Sequence, residues 1–225
     1  DFTIDYDVGF DEEGCILVVA TCRAGVIGTF PALNQRTTEG YGEWLSEIED
    51  RLSGHADAAP YGVNLIVHRS NARLEADLAM TVARKVPLVI TSLGANPDVV
   101  SAVQSYGGLV FHDVINPRHA RKAADAGVDG IIAVCAGAGG HAGAMSPFAL
   151  VSEIRAFYDG AIILAGAINT GAQIAAARAM GADLAYLGTR FLATEEAMIV
   201  NDYKQMILDA TAADILYTPA ISGVN

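Results

Sequence analysis

Seven short apolar runs punctuate the chain at nearly even spacing: GVIGTF (25–30), YGVNLIV (61–67), VPLVIT (86–91), GLVFH (108–112), DGIIAV (129–134), AIILAG (161–166) and LAYLG (184–188). Each is rich in Val, Ile or Leu, and most are apolar on both faces rather than alternating. That pattern predicts parallel strands covered on both sides. The segments between them carry helical periodicity. In NARLEADLAMTVARK, Leu74, Leu78 and Val82 fall at i, i+4 and i+8 and share a face. NPDVVSAVQSYG opens with Asn96 as an N-cap and Pro97 behind it, and NPRHARKAADAG repeats the design. SPFALVSEIRAFYDG offers Ser146 as N-cap, Pro147 at the first helical position and Gly160 just past the end.

One strand plus one helix recurs every roughly 20–25 residues, widening to about 30 near residue 141. Units of this size predict an α/β fold, the (β/α)8 or TIM barrel. A doubly wound open sheet is the rival. A barrel needs an eighth strand from residues 1–20, where TIDYDV and CILVVA compete. No Pro/Ser-rich linker or shift in composition divides the chain, so residues 1–225 are expected to form a single domain.

In either fold, ligands bind at the carboxyl ends of the strands. The loop after 129–134 holds His141 among Gly137, Gly139, Gly140 and Gly143. Such glycines let backbone approach a flat ligand closely, and a histidine there suits general-base work near neutral pH. The other reading is a flexible surface loop with a solvated histidine. After 161–165 comes GAINTG, and after 184–188 comes GTRF. Gly166, Ala167, Gly188 and Thr189 would present backbone N–H groups and one hydroxyl on adjacent late strands, where barrels often bind phosphate. The helix opened by Thr170–Gly171 would add a favourable dipole for the anion. The alternative is that these glycines merely make tight turns.

Asn64 is a polar residue inside the buried run GVNLIV, and a buried amide must find partners in a ligand or in the core. Ser92 and the pair His112–Asp113 hold equivalent strand-end positions and are further candidates to line the site. His55, His68 and His119 read as surface or loop residues. Glu195 and Glu196 are expected to open a helix after GTRFLAT, where negative charge suits the N-terminus.

Net charge alters the list of partners. At −12, the chain is a poor match for nucleic acid or an anionic membrane, while a small phosphorylated ligand held by backbone N–H groups is still compatible. No apolar stretch is long enough to span a bilayer. The three cysteines, Cys15, Cys22 and Cys135, are scattered and form neither a disulfide framework nor a zinc motif, so no metal is expected. With an acidic start lacking a basic, apolar leader, this points to the cytoplasm.

GAGGHAG, LAGAINTG and GADLAYLGTRFLATEEA together resemble the nitronate monooxygenase family, formerly 2-nitropropane dioxygenases. The likeness runs from about AGVIGTFPALN to the last residues, and GGHxG followed by GTRF is a specific pair. It implies an FMN-dependent barrel that oxidises alkyl nitronates (nitroalkanes) with molecular oxygen to a carbonyl compound and nitrite. His141 matches the catalytic histidine, Asn64 a flavin contact in the VNL strand, and Gly139, with Gly140 beside it, the loop near the flavin. Gly166 and Ala167 stand in the family's AGGI, with Ala167 replacing its second glycine, and Gly188 and Thr189 match the phosphate-binding GT. The partners implied are a small-molecule substrate and oxygen; a homodimer is compatible with the family. The chain departs from the family in three more places: no Pro-Met pair near the start, Val134–Cys135 where a Gln is usual, and Asp113 where a Lys is often found. The termini are expected to be atypical or incomplete. The family also includes quinone reductases and is related to enoyl reductases, so an NAD(P)H-dependent flavin reductase is the alternative activity. A non-catalytic phosphate-ligand binding barrel is a third reading.

Overall fold

A computed structural model describes residues 2–4, 15–140, 143–218 and 220. The elements run β1 (Phe2–Ile4), α1 (Ile16–Arg23), β2 (Ile27–Pro31), α2 (Thr38–Leu52), β3 (Tyr61–Ile66), α3 (Leu74–Ala83), β4 (Leu88–Ser92), α4 (Pro97–Gln104), β5 (Leu109–Val114) and α5 (Pro117–Asp125). They continue with β6 (Gly130–Val134), α6 (Pro147–Arg155), β7 (Ala161–Ala165), α7 (Gly171–Ala179), β8 (Leu184–Tyr186), α8 (Thr189–Leu192) and α9 (Asn201–Asp209). The strands pair in sequence order, all parallel, and β1 also pairs with β8, which closes the barrel. The open-sheet alternative is therefore excluded.

The competition for the eighth strand is settled by tertiary context. β1 is Phe2–Ile4, which takes in the first two residues of TIDYDV, the rest of which lies outside the described residues, whereas CILVVA becomes the crossover helix α1 despite its β-branched content. α1 buries Leu17, Val18, Val19 and Cys22. Gly28 on β2 is what lets it approach: a Cβ there would stand 2.7 Å from the Val18 carbonyl oxygen.

Strand register fixes which residues face inward. Asn64 pairs with Ile90, Ile90 with Phe111, Phe111 with Gly130, and Ile132 with Ile163. Leu88, Ile90, Phe111, Ile132 and Ile163 fill the barrel as one apolar cluster, distinct from the larger one between strands and helices. Gly130 makes room for the Phe111 ring, whose nearest carbon lies 2.5 Å from where a Cβ would sit. Toward the carboxyl ends the inward positions turn polar: Asn64, Ser92 and Asp113 on β3, β4 and β5.

The helix starts behave as the sequence predicts at Asn96 and Asn116, whose side chains accept from Asp98 and His119 N–H groups. Two expectations need correction. Ser146 sits at the N-cap of α6 without a side-chain bond, and α6 ends at Arg155, so Gly160 leads into β7 instead of ending the helix. Glu195 and Glu196 lie in a turn between α8 and α9, and open neither. On α3, Leu74, Leu78 and Val82 share a half-buried face as expected, and Asp77 and Thr81 are buried most deeply. Those two are held by hydrogen bonds: Thr38 donates to Asp77 at 2.6 Å, and Thr81 shares a 2.7 Å bond with Tyr41.

Candidate active site

Three loops meet at the carboxyl-terminal mouth, and short backbone contacts join them. The Ala167 N–H after β7 donates to the Gly137 carbonyl after β6 at 2.9 Å. Gly139, on the same β6 loop, approaches the next loop closely, since a Cβ there would lie 3.0 Å from Thr189 Oγ1. The Gly137 N–H donates in turn to the Tyr217 hydroxyl at 2.7 Å. The sequence-predicted Gly139, Gly166, Ala167, Gly188 and Thr189 are thus brought together. Gly139, Gly140, Ala167 and Thr189 are exposed and form an open lip. His141 and Ala142 lie outside the described residues.

Two local conformations show what these turns require. Gly166 has φ +140° and faces the Ala136 carbonyl oxygen, which a Cβ would meet at 2.9 Å. Ala167 holds φ +52°, a left-handed conformation that glycine adopts without steric cost. Its N–H is engaged by Gly137, so the expectation that it holds phosphate is not met in this arrangement. The start of α7 is similarly self-satisfied: the Gln173 N–H donates to Thr170 Oγ1 while the Thr170 N–H donates to Gln173 Oε1.

Across the mouth, β3–β5 carry a polar line. The Ser92 hydroxyl lies 2.5 Å from Asp113 Oδ2 and 3.2 Å from Asn64 Oδ1. Asp113 Oδ1 is closed off from solvent and has no hydrogen-bond partner. Burial pushes this carboxyl up to about 6, partly opposed by the Ser92 bond. Tyr186, inward on β8, also has a buried, unpartnered hydroxyl.

The strand-end pair His112–Asp113 splits. Asp113 faces the barrel, whereas His112 faces the helix layer, buried and bonded to Thr91 Oγ1 at 2.7 Å. Burial and the nearby His119 lower its pKa to about 4, so the ring is neutral at pH 7 and away from the mouth. Burial pushes Cys135 up to about 11, which makes it a packing thiol rather than a nucleophile. His55, His68 and His119 are exposed. Among the described residues, no cluster of His, Cys, Asp or Glu is arranged to hold a metal, and no helix is long and apolar enough to cross a membrane.

Tyr186 and Tyr217 escaped the sequence reading. Tyr186 carried a signal, since it is a polar-tipped residue inside an apolar run, as Asn64 is. Tyr217 carried none, because its contact with Gly137 spans 80 residues.

The nitronate monooxygenase domain pattern matches residues 58–225. The chain belongs to the nitronate monooxygenase family. A nitronate monooxygenase of Paraburkholderia phytofirmans is 32% identical over 191 residues, covering 80% of this chain and 52% of that protein. An octahydro-indene-carboxyl-CoA dehydrogenase of Rhodococcus jostii is 26% identical, covering 92% of this chain and 57% of that one. Nitroalkane oxidase from Streptomyces ansochromogenes superposes with TM-score 0.87 at 25% identity, over 99% of this chain and 75% of its own. The chain therefore spans about half the length of the curated relatives it matches. The matched region takes in all three mouth loops.

Proposed function

We propose that this chain oxidises alkyl nitronates with molecular oxygen, using FMN, to a carbonyl compound and nitrite. The observation that carries this reading is the convergence of the GGH loop, the GAIN turn and the GT turn at one mouth. The fit to a flavin rests on the molecule itself. The exposed lip at Gly139, Gly140 and Thr189, with half-buried Gly188 beside it, suits a phosphate, while the orphaned Asp113 Oδ1 and Tyr186 hydroxyl mark a polar floor. Asn64 would hold the ring through its amide, Gly166 would bring backbone close to it, and Ala167 would brace the lip through Gly137. Bound there, flavin would supply the electron transfer that no side chain can. His141 would act on the substrate as a base, holding a proton taken from carbon.

A second reading, a flavin reductase fed by NAD(P)H, draws support from the dehydrogenase likeness. The two are separated by anaerobic bleaching of the flavin, by NAD(P)H or by a nitronate. The first test is the visible spectrum of the purified protein and release of its chromophore. A flavin band yielding FMN, with nitrite formed from a nitronate in air, is the expected result; a colourless protein that takes up no FMN would remove both activities. A single barrel domain, a cytoplasmic setting and a homodimer belong to the same proposal, and size-exclusion chromatography tests the last.

A further inference from the structure

Leu93 follows β4 directly and holds φ +62°, a left-handed conformation that is costly for a bulky side chain. Val67, just past the end of β3, clamps the backbone on both sides of it. The Val67 N–H donates to the Ser92 carbonyl at 2.8 Å, and a Cβ on Gly94 would stand 2.7 Å from the Val67 carbonyl oxygen. These two contacts hold the residue between them in its conformation, and glycine would adopt it without steric cost. The leucine gains little packing in return, since it is 64% exposed. It has company. Among the described residues before 200, the large apolar side chains left exposed are Leu33, Leu93, Leu109, Ile115 and Phe148. Leu109 opens β5 at the far end of the barrel. The other four come after β2, β4, β5 and β6, around the carboxyl-terminal mouth. Ile115 stands beside the histidine loop, where a Cβ on Gly143 would lie 3.5 Å from its own. Next to Leu93, Ser92 joins the polar line to Asp113. Polar groups below and an apolar rim above fit a molecule with a small polar head and an apolar tail.

We propose that Leu93 sets substrate preference, holding the alkyl tail of the oxidised molecule against the rim while its polar head enters toward the strand ends. The inference rests on the nitronate oxidation proposed above and names its substrates as nitronates of longer, unbranched chain. The backbone cost at Leu93 is then retained for binding rather than for the fold. Each tail methylene laid on the rim leaves water. That gain is made equally before and at the transition state, so it acts on KM rather than on kcat.

The test is oxygen uptake by the FMN-loaded protein with the nitronates of nitroethane and 1-nitrohexane, read as the ratio of the two kcat/KM values so that any loss common to both cancels. The wild-type ratio is expected to favour nitrohexane by about tenfold or more, through KM. Leu93→Gly and Leu93→Asn, two residues that accept left-handed backbone, are each expected to bring it to within about threefold of unity. Neither is expected to lower the urea midpoint. A wild-type ratio near one, or one that both variants keep, overturns the assignment and leaves nitronate oxidation standing. A lowered midpoint in both variants would give the leucine a packing role and overturn it too. Should no nitronate be oxidised, the affinities for propionate and heptanoate, which carry the same tails on an inert anionic head, decide the matter. A wild-type preference for heptanoate that both variants lose keeps the role of Leu93 and removes the nitronate reading; no preference, or no binding, removes both.

Discussion

The Ala167 N–H donates to the Gly137 carbonyl at 2.9 Å, and this contact ties the loop after β7 to the loop after β6. Both residues hold left-handed backbone, at φ +52° and +91°. A Cβ on Gly137 would lie 2.8 Å from that of Ala167. The two loops therefore fit only when one partner lacks a side chain. Gly137→Ala is expected to cost about 2 kcal/mol or more, through both the left-handed backbone and the clash. Ala167→Gly relieves one left-handed residue but loosens the unfolded chain, for a net gain of about 0.5 kcal/mol. Urea unfolding of both variants checks the pair of signs, and a destabilised Ala167→Gly would show that the methyl contributes packing at the lip.

Thr189 reaches the glycine loop as well, since a side chain on Gly139 would meet its Oγ1 at 3.0 Å. Gly139→Val is expected to displace the Thr189 side chain and weaken FMN retention at least tenfold. Thr189→Ala is expected to weaken it less, by the loss of one hydroxyl contact worth about 1 kcal/mol. Fluorescence titration with FMN measures both, and wild-type affinity in Gly139→Val would place the phosphate elsewhere. His141→Ala, by contrast, is expected to keep FMN and lose turnover by about 10²–10⁴-fold. Turnover close to that of the wild type would remove His141 from the chemistry.

His112 gives the fold a sensitivity to acid. Burial, with His119 nearby, holds it near 4, below its ordinary 6.5. Below pH 6.5 the unfolded chain binds a proton that the folded chain refuses, so stability falls as pH drops from about 6.5 to 4. Above 6.5 neither state is protonated and the effect vanishes. His112→Gln is expected to flatten this part of the stability profile by about one proton's slope, at the cost of some packing at all pH values. Unfolding midpoints at pH 4.5, 5.5 and 7.5 test it; parallel profiles would mean that His112 charges freely in the folded state.

The strand count and helix starts were legible because they rest on local chemistry. Runs such as IIAV and IILA, recurring at even spacing between helical segments, read as buried strands, and Asn96–Pro97 and Asn116–Pro117 announce helices through backbone capping. The eighth strand was not legible, because CILVVA has strand propensity and becomes a helix only by packing against Gly28. The mouth glycines could be located because turns of that kind need glycine, yet their contacts with one another are long-range. Which of His112 and Asp113 faces inward depends on register, and the single-residue alternation of a strand sends neighbours to opposite sides. The apolar run offers no local cue to that choice.

Gly130 and Phe111 test the barrel interior directly. Phe111 occupies the space above Gly130, with a ring carbon 2.5 Å from the position of a Cβ there. Gly130→Ala is expected to cost about 1–3 kcal/mol by forcing the ring from its place. Phe111→Leu alone leaves a cavity and also destabilises. Together they are expected to cost less than their sum, because the methyl fills part of the cavity that the smaller side chain leaves. Additive costs in a double-mutant cycle would show that the ring already moves freely.

Asp113 weighs against stability at pH 7. Its carboxyl is raised from 3.8 to about 6, so the folded chain binds a proton more tightly than the unfolded chain. By linkage, stability is undiminished below about pH 4, falls as pH rises toward 6, and stays low above that. The shift corresponds to a penalty of up to about 3 kcal/mol at pH 7. Asp113→Asn keeps the shape and the contact with Ser92 but cannot ionise, so it is expected to stabilise the flavin-free protein at pH 7.5 and to be near neutral at pH 4. Thermal unfolding of the flavin-free protein at the two pH values reads this out. A variant less stable than wild type at both would mean that the ionised carboxylate has a stabilising partner at the mouth.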